Sequence, residues 1–265
     1  MFVRSIHIHP IKSTAALDLE SAVIDERGFA HDRRWMVVDE DGRFLTGREI
    51  GRLVLIRARP ERGGLHVEAP SMPALRVPAP DADGERLRVT VWDDTVDAAR
   101  ADPDSEAWLG EFLGRPVRLA KVDARSERVA EPDHGATAED RIGFADGYPF
   151  LAISQASLDG LNARMASPVP MRRFRPNLVI EGCEPHAEDA WRRIRVGEVE
   201  FEALKPCTRC VFTTVDPATG ARDPSGEPLR TLRDYRRSPN GLTFGMNLVA
   251  RGRGTVRVGD RVEPL

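Results

Sequence analysis

The chain has 265 residues, 41% of them hydrophobic and 31% charged, a composition that is typical of a folded globular protein and argues against disorder. The formal net charge of −3 gives no general reason to expect nucleic acid or an acidic membrane as a partner. Three cysteines, an odd number, do not form a disulfide framework, and no run of about 20 apolar residues could cross a bilayer. Because the N-terminus also lacks a signal-peptide pattern, we expect a soluble, cytoplasmic protein that binds neither nucleic acid nor membrane.

Repeated short strands with turns between them are predicted for the first part of the chain. Ile6 and Ile8 alternate with His7 and His9, which predicts a half-buried strand that exposes its histidines. Residues 39–42, Asp-Glu-Asp-Gly, predict a hairpin turn. Further strands are predicted at residues 35–38, 43–46, 53–56, 65–67 and 87–92. This pattern favours an antiparallel barrel or sandwich.

An amphipathic helix follows, and the elements beyond it form a second part of the chain. The helix is predicted to begin near Asp104 or Ser105 and to stop at Gly114. The polar, aperiodic residues 123–147 predict a linker or a long surface loop. Ser154 is predicted to cap a second helix, directly after a buried strand. The other elements predicted there are strands at residues 150–153, 177–180, 199–202 and 211–215, a short helix at 227–236, and terminal strands around Val256, Val258 and Val262.

Two of the three cysteines lie in one tetrapeptide, Cys207-Thr208-Arg209-Cys210. A thiolate next to a cation is the reactive kind of cysteine, and Arg209 directly precedes Cys210. The spacing alone leaves three interpretations open. The pair could be a thioredoxin-like redox centre, although that motif requires a helix start within a βαβ pattern. It could form a zinc site together with Cys183 and His186, or the cysteines could simply be buried on a strand.

Basic and hydroxyl side chains recur at the ends of predicted strands. Arginine makes up 36 of the 39 basic residues, so solvated surface charge is the simplest interpretation of any single one. Lys12 is an exception, because the chain has only three lysines. Such groups can hold a phosphate through charge-assisted hydrogen bonds if they converge, but the sequence alone does not show convergence. No glycine-rich phosphate loop, dinucleotide fingerprint or nucleophile elbow accompanies them. The residues concerned are Lys12, Ser13, Arg33, Arg175, Asn177 and Arg209.

A set of motifs in collinear order, taken together, resembles a known family. The motifs are His9-Pro10-Ile11-Lys12-Ser13, Gly28 through Asp32-Arg33-Arg34-Trp35, Thr46-Gly47-Arg48, residues 150–158 (Phe-Leu-Ala-Ile-Ser-Gln-Ala-Ser-Leu), Phe174-Arg175-Pro176-Asn177, Cys207-Thr208-Arg209-Cys210 with Thr213-Thr214-Val215-Asp216-Pro217, and the ending at residues 254–260. They resemble the MOSC-domain molybdoenzymes, and most closely the mitochondrial amidoxime reducing component and its bacterial counterparts. The resemblance runs from about residue 3 to residue 265.

The resemblance implies a molybdenum cofactor, a pyranopterin whose metal takes one thiolate from the protein. By motif position, that metal ligand and catalytic residue is Cys210 and not Cys207. A soft thiolate is a sensible ligand for such a metal, and Arg209 would help to keep Cys210 deprotonated. The implied cofactor-binding residues are Lys12, Ser13, Arg33, Arg175, Asn177, Thr208 and Arg209. A binding site similar to that for pyridoxal phosphate is a further expectation of the resemblance.

The implied fold is β-rich α+β, with an N-terminal antiparallel β domain packed on a MOSC β-barrel that has flanking helices. We place the N-terminal domain at residues 1–124 and the MOSC domain at residues 125–265, with the cofactor between them. One departure concerns Gly147 and Tyr148, which stand where relatives have small hydroxyl residues; this affects the cofactor contacts of that loop.

The implied activity is the reduction of small N-hydroxylated compounds, such as amidoximes, hydroxylamines and N-hydroxylated nucleobases, to amines or amidines. The chain ends without the cysteines of the ferredoxin-like domain that some relatives carry, so electrons would come from a separate ferredoxin- or flavoprotein-type donor. The competing interpretation is a non-enzymatic carrier of the molybdenum cofactor, or of persulfide sulfur on Cys210. A structural zinc module is the third interpretation.

Overall fold

The computed structural model describes the backbone of residues 1–265 and every side chain except that of Asp133. The described chain is β-rich α+β, as predicted. Its α-helices are α1 (Pro103–Leu113), α2 (Gln155–Asn162) and α3 (Leu229–Tyr235). Its strands are β1 (Phe2–Ile8), β2 (Leu17–Leu19), β3 (Ser21–Asp25), β4 (Gly28–Phe29), β5 (Trp35–Val38), β6 (Arg57–Glu61), β7 (Gly64–Glu68), β8 (Leu75–Pro78), β9 (Arg86–Val91), β10 (Asp94–Arg100), β11 (Arg118–Lys121), β12 (Phe150–Ser154), β13 (Leu178–Glu181), β14 (Arg193–Val196), β15 (Val199–Thr208), β16 (Arg237–Ser238), β17 (Gly241–Ala250), β18 (Gly254–Arg257) and β19 (Val262–Pro264).

The largest sheet joins strands from both ends of the chain. Its order is β19-β14-β15-β17-β12-β13-β1-β2, and β16 pairs with β17. Only β12 and β13 run parallel; the other pairs are antiparallel. A T-shaped aromatic chain from Phe29 through Phe150 to Phe201 packs in its core, with centroid distances of 4.9 and 5.2 Å. The N-terminal segment is therefore part of the C-terminal sheet, and the division at residue 124 stays a prediction.

The remaining strands of the first part form antiparallel sheets that pack with α1. One sheet has the order β5-β11-β10-β9, another β6-β7-β8, and β18-β3-β4 links the ends of the chain. The helix begins at Asp102, whose carboxylate accepts a hydrogen bond from the Ser105 amide at 2.9 Å, and ends at Gly114 in the left-handed conformation. Its stop was predicted correctly, while its cap lies a few residues earlier than predicted. Trp108, Leu109 and Phe112 fill the core beside it.

Two predicted strands are 3-10 helices. Of the predicted strand 53–56, residues 53–55 lie within a helical turn, Gly51–Leu55, and β6 is the strand that pairs with β7 instead. A short apolar run is buried equally well by a strand or by a turn, so periodicity could not separate the two. The predicted strand at 211–215 is the turn Val211–Thr214. There the hydroxyls of Thr213 and Thr214 donate to the carbonyls three residues earlier, at 2.9 and 2.7 Å, which favours the turn over a strand ladder.

The predicted linker at residues 123–147 is irregular, but it is a surface loop only in its middle. Near its two ends Ser126, Arg128 and residues 142–145 are buried, because guanidinium groups replace water as partners of the backbone. Arg27 donates to the carbonyls of Asp123 and Ser126 at 3.0 and 2.8 Å. Arg128 donates to the carbonyls of residues 143, 145 and 146. This segment can therefore form an interior wall with its polar backbone satisfied.

The histidines of the first strand are buried, contrary to the prediction. His7 exposes 7% of its surface and His9 none. β2 runs beside β1, and the carboxylate of its Asp18 pairs with the His7 ring at 2.7 Å. Alternation correctly predicted the strand but not which of its faces the rest of the molecule would cover. None of the described helices combines the length and the apolar composition that crossing a bilayer requires.

Candidate functional site

All eight side chains that the sequence assigned to the cofactor site line one cleft. Their convergence follows from the sheet. Because β1 and β13 are antiparallel neighbours, with Ile6 opposite Leu178, the segment after β1 meets the segment before β13. The end of β15 lies beside the start of β17, where Thr208 is opposite Thr243, and brings the tetrapeptide with both cysteines to the same cleft. The eight residues are Lys12, Ser13, Arg33, Arg175, Asn177, Thr208, Arg209 and Cys210.

Lys12 is a buried cation at one wall of the cleft. Its ammonium donates to the Phe144 carbonyl at 2.7 Å and to Asp146 Oδ1 at 2.5 Å. Burial lowers the pKa of Lys12 to about 8, although Asp146 opposes this effect. An anionic ligand near this ammonium would offset the cost of its burial.

Arg33 and Asn177 belong to a buried network around Asp32. Asn177 Oδ1 accepts from Arg33 at 3.1 Å and from the Leu151 amide at 3.2 Å. Its Nδ2 donates to Asp32 Oδ2 and to the His7 carbonyl, both at 3.1 Å. The amide of Asn177 is therefore fully engaged with the protein. We infer that Asn177 positions Arg33, while its predicted role as a direct cofactor contact stays a prediction.

Three of the predicted site residues have a left-handed backbone that non-glycine residues rarely adopt: Ser13 (φ 68), Arg33 (φ 50) and Arg175 (φ 56). Such conformations are unfavourable, and in proteins they cluster at functional sites. Ser13 forms no hydrogen bond with the described residues, either through its hydroxyl or through its amide. The strained backbone thus presents free polar groups to the cleft.

Arg175 carries a charge that the protein only partly compensates. Its Nη1 donates to the Thr14 carbonyl at 2.6 Å, and its guanidinium lies 5.3 Å from the ring centroid of Phe212. Its buried Nη2 has no partner among the described residues. Burial, and after it the charge of Arg33, lowers the pKa of Arg175 from its usual range. A buried guanidinium nitrogen without a partner costs free energy, and an anion that accepts a hydrogen bond from it would remove that cost.

The two cysteines of the tetrapeptide have different surroundings. Arg209 donates to Cys207 Sγ at 2.9 Å and to the Phe174 carbonyl at 2.5 Å. It was expected to assist Cys210, but successive residues at a strand end point to opposite sides, so Arg209 shares a side with Cys207. Cys210 Sγ has no hydrogen-bond partner among the described residues. Its thiol is the one that remains available to a metal.

The cleft also contains residues that the site prediction missed. Arg48 belongs to a motif of the family resemblance and could have been chosen on that signal. Arg173, Trp92, Asp146 and Asn247 had no local signal that would have marked them. Arg173 anchors the turn after Cys210, with its guanidinium 3.1 Å from the Thr214 carbonyl.

The donor set of the cleft fits an anionic cofactor that brings most of its own metal ligands. Among the described residues that line it, six are cationic and one, Asp146, is anionic. The described residues contain no group of three His, Cys, Asp or Glu side chains placed to hold a metal ion. Cys183 and His186 therefore do not complete a zinc site with Cys207 and Cys210. One free thiol, two unpaired guanidinium nitrogens on Arg175 and Arg209, and a free serine hydroxyl suit a phosphate-bearing group that needs a single protein thiolate.

Comparisons with known proteins match nearly the whole length of the chain. The model of the MOSC N-terminal beta barrel domain matches residues 1–116, and that of the MOSC domain matches residues 139–263. Mitochondrial amidoxime-reducing component 1 of Danio rerio is 34% identical over 272 residues, which are 98% of this chain and 83% of the relative. The proteins of the same name from Mus musculus and Homo sapiens are 35% and 32% identical, over 98% of this chain and 81% and 82% of theirs. A cytoplasmic location and a pyridoxal-phosphate-like site find no support in these matches and stay predictions.

Proposed function

Because the chain belongs to the MOSC-domain family, with amidoxime-reducing components among its relatives, we propose that it is a molybdenum-cofactor-dependent oxidoreductase of N-hydroxylated compounds. The observation that carries the proposal is the cleft itself. It joins six cations and one unpartnered thiol, from segments up to about two hundred residues apart in the chain.

The proposed reaction breaks the N–O bond of an amidoxime, a hydroxylamine or an N-hydroxylated nucleobase. Two electrons and two protons enter, and the products are the amidine or amine and one water. The cofactor, when bound, supplies the two-electron chemistry. We propose that the electrons come from a separate donor protein of the ferredoxin or flavoprotein type.

The chain's own residues would bind and orient the reactants. Lys12, Ser13 and Arg175 offer charge and free hydrogen-bonding groups to the anionic part of the cofactor. Cys210 would be the thiolate ligand, since its sulfur has no competing partner among the described residues. Arg209 holds Cys207 to the side, which keeps the second thiol away from the ligand position.

The test is metal analysis and turnover of protein expressed with an intact cofactor pathway. We expect molybdenum in the purified protein and reduction of benzamidoxime with dithionite-reduced viologen as donor. Cys210→Ser should abolish turnover, whereas Cys207→Ser should keep most of it, because only the first variant removes the free thiol. The pair is a matched control, since both substitutions replace a half-buried thiol by a hydroxyl in the same cleft.

Other outcomes would point elsewhere. Full activity of Cys210→Ser would refute the assignment of the ligand. Bound pterin without any N-reduction would indicate a cofactor carrier, and a persulfide mass on Cys210 without a metal requirement would indicate a sulfur relay. Zinc without molybdenum would indicate a structural metal module.

A further inference from the structure

Trp92 lies at the mouth of the cleft, at a position where neither burial in the core nor the backbone conformation of the turn requires a tryptophan. It lies at the tip of the β9–β10 hairpin, in a two-residue connection where its φ is 55°. This region favours glycine, and a bulky aromatic residue there is a genuine outlier. The side chain remains 38% exposed and lines the cleft. An unfavourable backbone that displays an exposed aromatic ring at a site suggests a role in binding.

The indole is fixed on several sides. The Arg48 guanidinium lies 4.1 Å from its ring centroid, and the Phe44 ring packs at 4.9 Å. The indole Nε1 donates to Asp146 Oδ1 at 3.1 Å, the same oxygen that accepts from Lys12. Trp92 is thus held in one orientation, next to the wall that carries Lys12.

Asp146 leaves one oxygen free beside this ring. Its Oδ2 accepts no hydrogen bond from the described residues, and its side chain is 66% exposed. An aromatic surface next to a free carboxylate oxygen recognises a flat, conjugated group with N–H donors. The ligand's π face stacks on the ring, and one of its N–H groups donates a hydrogen bond to the oxygen. The amidoxime group and its amidinium product have this shape and these donors. A small aliphatic hydroxylamine has no π face to offer.

We propose that Trp92 and Asp146 form the substrate-recognition wall of the cleft and select planar N-hydroxylated amidines, above all those on an aromatic body. This proposal rests on the proposed function, because it names the substrate class of the same site. In this proposal the β9–β10 hairpin contributes directly to substrate specificity, whereas the thiol and the cofactor contacts come from other segments of the fold.

The experiment compares Trp92→Gly, Trp92→Phe and the matched control Asp93→Gly in the cofactor-loaded protein. Asp93 is the other, exposed residue of the same turn and does not line the cleft. Trp92→Gly should raise the KM for benzamidoxime about tenfold and leave kcat and the KM for N-methylhydroxylamine nearly unchanged. Trp92→Phe keeps a ring and should stay within about threefold of the wild type. Asp93→Gly should change neither KM.

A second measurement does not depend on turnover. Titration calorimetry with benzamidine, the planar amidinium product, should show about tenfold weaker binding to Trp92→Gly than to the wild type and to Asp93→Gly. An equal rise of KM for both substrates, or loss of molybdenum from Trp92→Gly, would show that Trp92 supports the fold or Lys12 and would overturn the proposal. If the wild type reduces neither substrate, the proposed function fails; benzamidine binding that still depends on Trp92 would then uphold the recognition wall.

Discussion

Replacing Asn177 by alanine tests whether this buried amide is the support of the cleft's cationic wall. Asn177 exposes 1% of its surface and connects four groups: Arg33, Asp32, the Leu151 amide and the His7 carbonyl. The substitution removes all four hydrogen bonds and leaves their partners without this amide in a largely buried site.

The size of the effect follows from the partners. Two of the hydrogen bonds join Asn177 to uncharged backbone groups, and each is worth about 1 kcal/mol. The other two involve the charged Arg33 and Asp32 and are worth about 1.5–3 kcal/mol each. Arg33 and Asp32 still contact each other at 2.5 Å, so part of the stabilisation of these two charged groups remains. We therefore expect a loss of about 4 kcal/mol in the free energy of unfolding.

The assay is urea denaturation of the cofactor-free protein, so that ligand binding does not add to the result. Asn247→Ala is the matched control: Asn247 also lines the cleft, but its side chain forms no hydrogen bond with the described residues. We expect it to cost less than about 1 kcal/mol. If Asn177→Ala lies within about 1 kcal/mol of the wild type, the network does not support this wall and the reasoning fails.

Two further predictions concern the walls of the cleft. The pKa of Lys12 is about 8 in the folded protein against 10.5 for an ordinary lysine, so between these pH values the unfolded chain binds more protons. The free energy of unfolding of the cofactor-free protein, measured by urea denaturation, should therefore increase by up to about 3 kcal/mol from pH 8 to 10.5. Lys12→Met should lack this increase. An equal pH dependence in that variant would show that Lys12 is not its cause. Gly47→Ala would place a methyl group 2.2 Å from the Phe212 ring, and we expect a loss of about 1–3 kcal/mol in thermal unfolding, whereas Gly252→Ala, which meets nothing within 4 Å, should be neutral. A neutral Gly47→Ala would mean that Phe212 moves freely.

Local features of the fold could be predicted because they depend on neighbours along the chain. Ser154 caps α2, with its hydroxyl accepting from the Ser157 amide at 3.0 Å, and Gly114 ends α1, as the residue types indicated. The turn at residues 39–42 is present too, closed by a hydrogen bond from the Arg43 amide toward the Asp39 side chain at 2.8 Å. The predicted strand at residues 43–46 is reduced to isolated bridges at Arg43 and Phe44. The other failed strands were short apolar segments, at residues 53–56 and 211–215, where burial rather than period decides the backbone.

The sequence by itself determined the family, the fold class and eight of the residues that line the cleft, because ordered motifs and residue chemistry are properties of the chain. Only the tertiary structure decided how these residues are used. Long-range pairing of β1 with β13 brings Lys12 and Arg33 to Asn177, and strand geometry turns Arg209 toward Cys207 and leaves Cys210 free. Burial, charge compensation and side-chain direction depend on which surfaces meet, and no local pattern contains that information.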